Sequence, residues 1–221
     1  MDELKLGKLT YVVRYPKGFS KLEKHPILIF LHGAGTRGTS TDALRENPFF
    51  AKTDSLNLPF VIVAPLCSQN TWFDLFEHLE ALVKEIAKLP FADEKRIYLM
   101  GSSMGGYGTW QFAMSMPEYF AAIVPICGGG MYWNAGRLAN VPIWAFHGAK
   151  DGTVFPTESE KMVDAVNRAG GNAKLTIYPE AGHDAWTPTY SNPEVFAWLL
   201  EHESNCTVEL KDEYTDSTIY G

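Results

Sequence analysis

The residues best suited to chemistry lie in Gly101-Ser102-Ser103-Met104-Gly105, where one hydroxyl has a glycine two positions to either side. The apolar run Ile97-Tyr98-Leu99-Met100 precedes this stretch, and residues able to form a helix follow it. A strand, a tight turn and a helix in that order put Ser103 at the apex, its hydroxyl projecting away from the sheet. Glycine at both flanks removes the Cβ atoms that would hold strand and helix apart. With 19 glycines in 221 residues, the motif alone also suits a turn that binds phosphate or only reverses the chain. The rest of the sequence decides between these.

A serine hydroxyl attacks only when a base takes its proton, and the base needs a third group to orient it. Six histidines are available. His78 and His202 fall in helical stretches, and His25 precedes a strand on the opposite sheet edge. His32 and His147 each stand before glycine at the carboxyl end of a strand, where they shape loops. His183, in Glu180-Ala181-Gly182-His183-Asp184, follows the last strand and is the candidate base. Asp151, a few residues beyond the preceding strand, is the candidate acid, although Asp151-Gly152 also suits a plain turn. Asp184 is a weaker rival, because a residue rarely turns back onto its neighbour's ring; Asp93 lies before the Ser103 strand, on the far edge. The chain order Ser103, Asp151, His183 is one of three convergent triad orders. Two backbone N–H groups must also meet the oxyanion of such an attack. Met104, directly after Ser103, offers one, and Ala34 in His32-Gly33-Ala34-Gly35 offers the other.

These residues need a scaffold. Apolar runs at Leu9–Tyr15, Ile27–Leu31, Phe60–Ala64, Ile97–Met100, Phe120–Ile126, Val141–Phe146 and Lys174–Tyr178 read as strands. Helical periodicity covers 73–89, the stretch after Ser103, 157–169 and 193–203. Strand and helix alternate, which predicts an α/β fold: a doubly wound, mostly parallel sheet with helices on both faces. Ligands then bind beyond the carboxyl ends of the strands. Too few residues separate the strands at 120–126 and 141–146 for a large lid, so the site is expected to be open. Trp72, Trp133 and Trp186 lie in loops near that edge and suit the lining of an aromatic- or sugar-binding cleft; packing is the alternative for each. Arg37 is expected to brace its own loop rather than recognise an anion.

Length and the absence of an internal repeat predict one domain over 1–221, with a core at about 9–203 and an acidic tail at 204–221. In that tail Glu209, Asp212, Glu213 and Asp216 face only Lys211. A net charge of −7 without a basic stripe argues against nucleic-acid binding. No apolar run nears the ~18 residues of a membrane span. Cys67, Cys127 and Cys206 form no disulfide framework, so a cytoplasmic location is the expectation, with a secreted form lacking its leader as the alternative.

The segments LIFLHGAGTRG, YLMGSSMGGYGTW, FAAIVPICGGG, VPIWAFHGAKDGTVF and YPEAGHDAWTPTY together resemble the α/β-hydrolases. Within them they resemble a branch of small esterases akin to dienelactone hydrolases and phospholipase/carboxylesterases, some of them labelled peptidases. The resemblance runs from about Ile27 to Leu200. It implies a three-layer fold, a Ser103–Asp151–His183 triad, an oxyanion hole near Ala34 and Met104, and no cofactor or metal. True dienelactone hydrolases commonly use cysteine as nucleophile; Ser103 in its place favours general ester hydrolysis on a small-molecule or polymer-attached ester. A peptidase or amidase on the same triad is the nearest alternative, and a non-catalytic binding protein of this fold is another. No His, Asp or Glu spacing forms a metal-ligand set.

Overall fold

The computed structural model describes residues 1–204. Their strands are β1 (Asp2–Leu6), β2 (Leu9–Arg14), β3 (His25–Leu31), β4 (Val61–Pro65), β5 (Ala92–Ser102), β6 (Ala122–Ile126), β7 (Ile143–Gly148) and β8 (Ala173–Tyr178). They form one sheet in the order β1-β2-β4-β3-β5-β6-β7-β8. From β4 to β8 every pairing is parallel, while β1 and β2 are antiparallel additions at one edge. The helices are α1 (Asp42–Arg45), α2 (Pro48–Asp54), α3 (Phe76–Ala87), α4 (Met104–Ser115), α5 (Thr157–Arg168), α6 (Trp186–Tyr190) and α7 (Pro193–Leu200).

The continuous apolar runs have a simple cause: both faces of the sheet are covered. Along β3, Ile27, Ile29 and Leu31 pack with α3, α4 and α5, while Leu28 and Phe30 point the other way. That second face is closed by Phe49 and Phe50 of α2, Tyr190 of α6 and Phe196 of α7. The result is the expected three-layer α/β fold. Only the short 3₁₀ stretch Tyr132–Leu138 occupies the connection between β6 and β7, so no large lid is built there.

The differences from expectation are local. β1 carries almost no burial and hence no apolar signature; its pairing with β2 makes it a strand. Helix α2 opens on Asn47, whose side chain accepts from the Phe49 N–H, with Pro48 at its first position. The acidic tail, Ser204 aside, lies outside the described residues. Among the described residues no helix is long and apolar enough to cross a membrane.

Strand order fixes where a ligand can sit. The chain leaves β3 toward β4 on one side and returns to β5 on the other. The loops after β3 and β5 therefore part and open a crevice at the carboxyl edge.

Candidate active site

Ser103 joins β5 to α4 with φ 55° and ψ −118°. A positive φ on a residue with a Cβ costs on the order of 1–3 kcal/mol and persists only where its surroundings enforce it. Here the Ser103 N–H donates to the Ile126 carbonyl at 2.9 Å, and its own carbonyl accepts from Tyr107 at 3.0 Å. The flanking glycines are steric necessities. A Cβ on Gly105 would stand 1.9 Å from the Leu31 carbonyl oxygen, and one on Gly101 would stand 2.4 Å from that of Gly105.

The structure brings the three candidate residues together. Ser103 Oγ lies 2.9 Å from His183 Nε2, and His183 Nδ1 lies 2.7 Å from Asp151 Oδ2. The loop carrying His183 is tied to the Asp151 loop, since the Lys150 N–H donates to the Ala181 carbonyl at 2.9 Å. Asp151 Oδ1 accepts from the backbone N–H groups of Thr153 and Val154, both at 2.9 Å. Burial opposes ionisation of Asp151, but the bonds from His183, Val154 and Thr153 outweigh it and hold its carboxyl below the ordinary value. Asp184 takes a different part: its carboxylate accepts from the Thr187 N–H and hydroxyl, both at 2.9 Å, at the start of α6.

Two further histidines support the arrangement. His147, fully buried at the end of β7, places Nε2 2.9 Å from the Val154 carbonyl and 3.3 Å from Asp151 Oδ2. Both neighbours are acceptors, so the network assigns a proton to Nε2. Its Nδ1 is 2.7 Å from Ser159 Oγ on α5. His147 thus clamps the acid loop, as its place before Gly148 suggested; its contact with Asp151 had no separate signal in sequence. His32 is likewise buried, with Nδ1 2.7 Å from the Gly33 carbonyl and Nε2 accepting from the Cys67 N–H at 3.0 Å. Burial lowers its pKa to about 4, which keeps the ring neutral. Arg37 braces its loop through bonds to the carbonyls of Ala34 and Asn70.

Ala34 begins a 3₁₀ turn and Met104 begins α4. As first residues of helical segments, both carry N–H groups with no acceptor inside their own segment. Ala34 also lines a cavity of ≈400 Å³ with Gly33, Ser103, Thr153, His183 and Trp186. The Trp186 indole stands edge-on to the His183 ring, 5.2 Å between centroids.

The other two tryptophans depart from expectation. Trp72 is 0% exposed and stands outside the lining of the Ser103 cavity: its Nε1 donates to the His32 carbonyl at 3.0 Å beneath the Gly33 loop. A polar handle that finds a buried carbonyl lets a whole indole enter the core. Trp133 is 73% exposed and stands outside the lining of the Ser103 cavity.

Cys127, at φ 39°, places its thiol within 4.8 Å of ligand atoms on Asp151 and His183. The donor set does not suit a metal. Burial pushes the thiol pKa up to about 12, and the two other donors are bonded to each other.

A sheet of this order, with a strained serine between its central strand and the next helix, is the α/β-hydrolase fold. The dienelactone hydrolase family model matches residues 62–195, more than half of the chain, and the chain belongs to that family. The crystal structure of a thermostable esterase is similar, at 36% identity and a TM-score of 0.77, over 88% of this chain and 59% of that one. Est1E from Butyrivibrio proteoclasticus shares the fold at 17% identity and a TM-score of 0.69, over 90% of this chain and 97% of that one. Dipeptidyl-peptidase 5 of Porphyromonas gingivalis is 22% identical over 86% of this chain and 35% of its own length. The chain spans about a third or less of the first curated relatives it matches.

Proposed function

We propose that this chain is a serine hydrolase that cleaves carboxylic esters through an acyl-enzyme. One observation carries the reading: the unbroken path from Ser103 Oγ through His183 to the buried Asp151 carboxylate, at 2.9 and 2.7 Å. In the first half-reaction Ser103 Oγ bonds to the ester carbonyl carbon while its proton passes to His183 Nε2. The N–H groups of Ala34 and Met104 hold the resulting oxyanion. Asp151 fixes the ring so that Nε2 faces the serine, and it stabilises the imidazolium. The alcohol leaves with the proton from His183. In the second half, water gives its proton to His183 and attacks the acyl carbon, and Ser103 regains its proton as the acid departs.

Family membership and the 36% identical esterase support ester substrates. The open cavity and the Trp186 wall suit short or aromatic acyl groups, free or attached to carbohydrate. Cys67 and Cys127 are free thiols, which suits a reducing, cytoplasmic setting. A peptidase or amidase is the second reading, favoured by the likeness to Dipeptidyl-peptidase 5.

The test compares matched ester and anilide substrates across acyl lengths from acetyl to decanoyl. Ester turnover well above anilide turnover is the expected result. The reverse order would move the assignment to an amidase, and cleavage of neither would favour a binding protein.

A further inference from the structure

An ester has two arms diverging from its carbonyl carbon; besides the cavity at Ser103, segments that flank the site line a second concavity. The cavity at Ser103 is walled by Asn47, Pro48, Trp186 and Tyr190, from the side of the sheet covered by α2 and α6. The second concavity, a groove of ≈470 Å³, lies on the side covered by α3 and α4. Phe73, Phe76, Tyr107, Gln111, Gly130 and Met131 line it.

Each wall of this groove starts at a loop of the site. Tyr107 and Gln111 stand one and two turns along α4 from Ser103, and the Tyr107 N–H bonds the Ser103 carbonyl. Gly130 and Met131 continue the loop that begins at Cys127, the residue beside Asp151 and His183. Phe73 follows Trp72, which is bonded to His32 next to the Gly33 loop. Two helical turns are about 11 Å, the reach of a medium alkyl chain or an aryl-alkyl group.

The groove is apolar yet open to solvent. Phe73 is 49% exposed and Met131 37%, and Phe76 stacks on Phe112 behind them with 4.6 Å between centroids. Tyr107 stands beside Glu158, whose carboxylate adds to burial in raising the phenol pKa. An apolar groove of this size along α4, the helix that Ser103 opens, has the usual form of a ligand site.

We propose that this groove binds the apolar arm, alkyl or aryl-alkyl, of an asymmetric ester whose compact arm occupies the cavity at Ser103. The proposal rests on the ester-hydrolase reading and adds which substrates are preferred. Ethyl octanoate and octyl acetate carry the same chain on opposite arms, so comparing each with ethyl acetate by pH-stat titration finds both the preference and the arm. The wild-type chain should show kcat/KM for one of the two at least tenfold above that for ethyl acetate. Gln111→Trp, which fills the groove, and Phe73→Lys, which charges its rim, should each lower that ratio tenfold or more. Melting temperature reports whether each variant is folded, and the two changes lie on different elements.

A ratio near one in the wild type, or a ratio unmoved in both folded variants, overturns the groove assignment. Calorimetry with n-octanol reads the groove without turnover, and Gln111→Trp should weaken its Kd at least tenfold. Octanol binding without cleavage of any ester would keep the groove and sink the hydrolase reading. A dimer in solution that Phe73→Lys dissociates, with the ester ratio unchanged, would give the groove to a second copy of the chain instead.

Discussion

The proposed nucleophile, Ser103, and the proposed acid, Asp151, are held by opposite means. Ser103 is fixed by sterics: a positive φ, two glycines without room for a Cβ, and backbone bonds to the neighbouring strand and helix. Asp151 is fixed by polar partners: two backbone N–H groups, His183, and His147 standing behind it. The contrast follows from the task of each. A nucleophile must be presented with its hydroxyl free to react, so packing has to place its backbone. A buried carboxylate must stay ionised, so donors have to surround it. Shape should therefore break the first loop, and charge the second.

Gly105→Ala tests the steric side and should have the largest effect. A methyl group 1.9 Å from the Leu31 carbonyl oxygen forces β3 and α4 apart, at a cost above about 4 kcal/mol. Urea unfolding should show that loss together with loss of ester turnover. A stable, active variant would mean that the elbow is looser than its geometry.

Asp151→Asn tests the polar side. Its Oδ1 can still accept from Thr153 and Val154, so the fold should survive while kcat falls about 10⁴-fold, as when a triad loses its orienting carboxylate. Steady-state kinetics with circular dichroism separates the two effects. Unfolding of this variant would show that the carboxylate carries stability as well as catalysis.

The steric side has its own sensitivity to acid, through His32. Its folded pKa of about 4 lies below the ordinary 6.5, so the neutral ring favours the folded state. That contribution is complete above about pH 6.5 and is lost as pH falls toward 4, by about 3 kcal/mol in total. Asp151 acts in a lower window: its depressed pKa gives stability that is present above about pH 3.9 and lost as pH falls further. Unfolding free energies at pH 7 and 4.5 should differ accordingly in the wild type, and His32→Gln should flatten the difference.

The smallest expected effect checks a correction. Trp72→Phe removes the bond to the His32 carbonyl and should cost about 1 kcal/mol, with KM for ethyl acetate unmoved. A raised KM would return Trp72 to the substrate.

These contrasts also explain what could be read from the sequence. The parallel core was legible because strands buried on both faces are written as unbroken apolar runs, as in Ile27–Leu31. The grouping of Ser103, Asp151 and His183 was legible because a strained serine demands glycines at fixed offsets, and because the other two follow the last two strands. β1 was not, since an exposed edge strand needs a neighbour rather than an apolar pattern. Trp72 and Trp133 both read as loop residues; one is buried with its indole N–H on the His32 carbonyl and the other is largely exposed, a difference that spacing does not encode. The apolar groove was hidden for a similar reason, because three segments far apart in the chain supply its walls.

The most direct test of the central claim is labelling with a fluorophosphonate, followed by peptide mass analysis and by ester turnover of Ser103→Ala. A single adduct on the peptide carrying Ser103, and loss of nearly all turnover in the variant, is the predicted result. An adduct elsewhere, or equal turnover in the two proteins, would contradict the assignment of Ser103, His183 and Asp151 as the reacting unit.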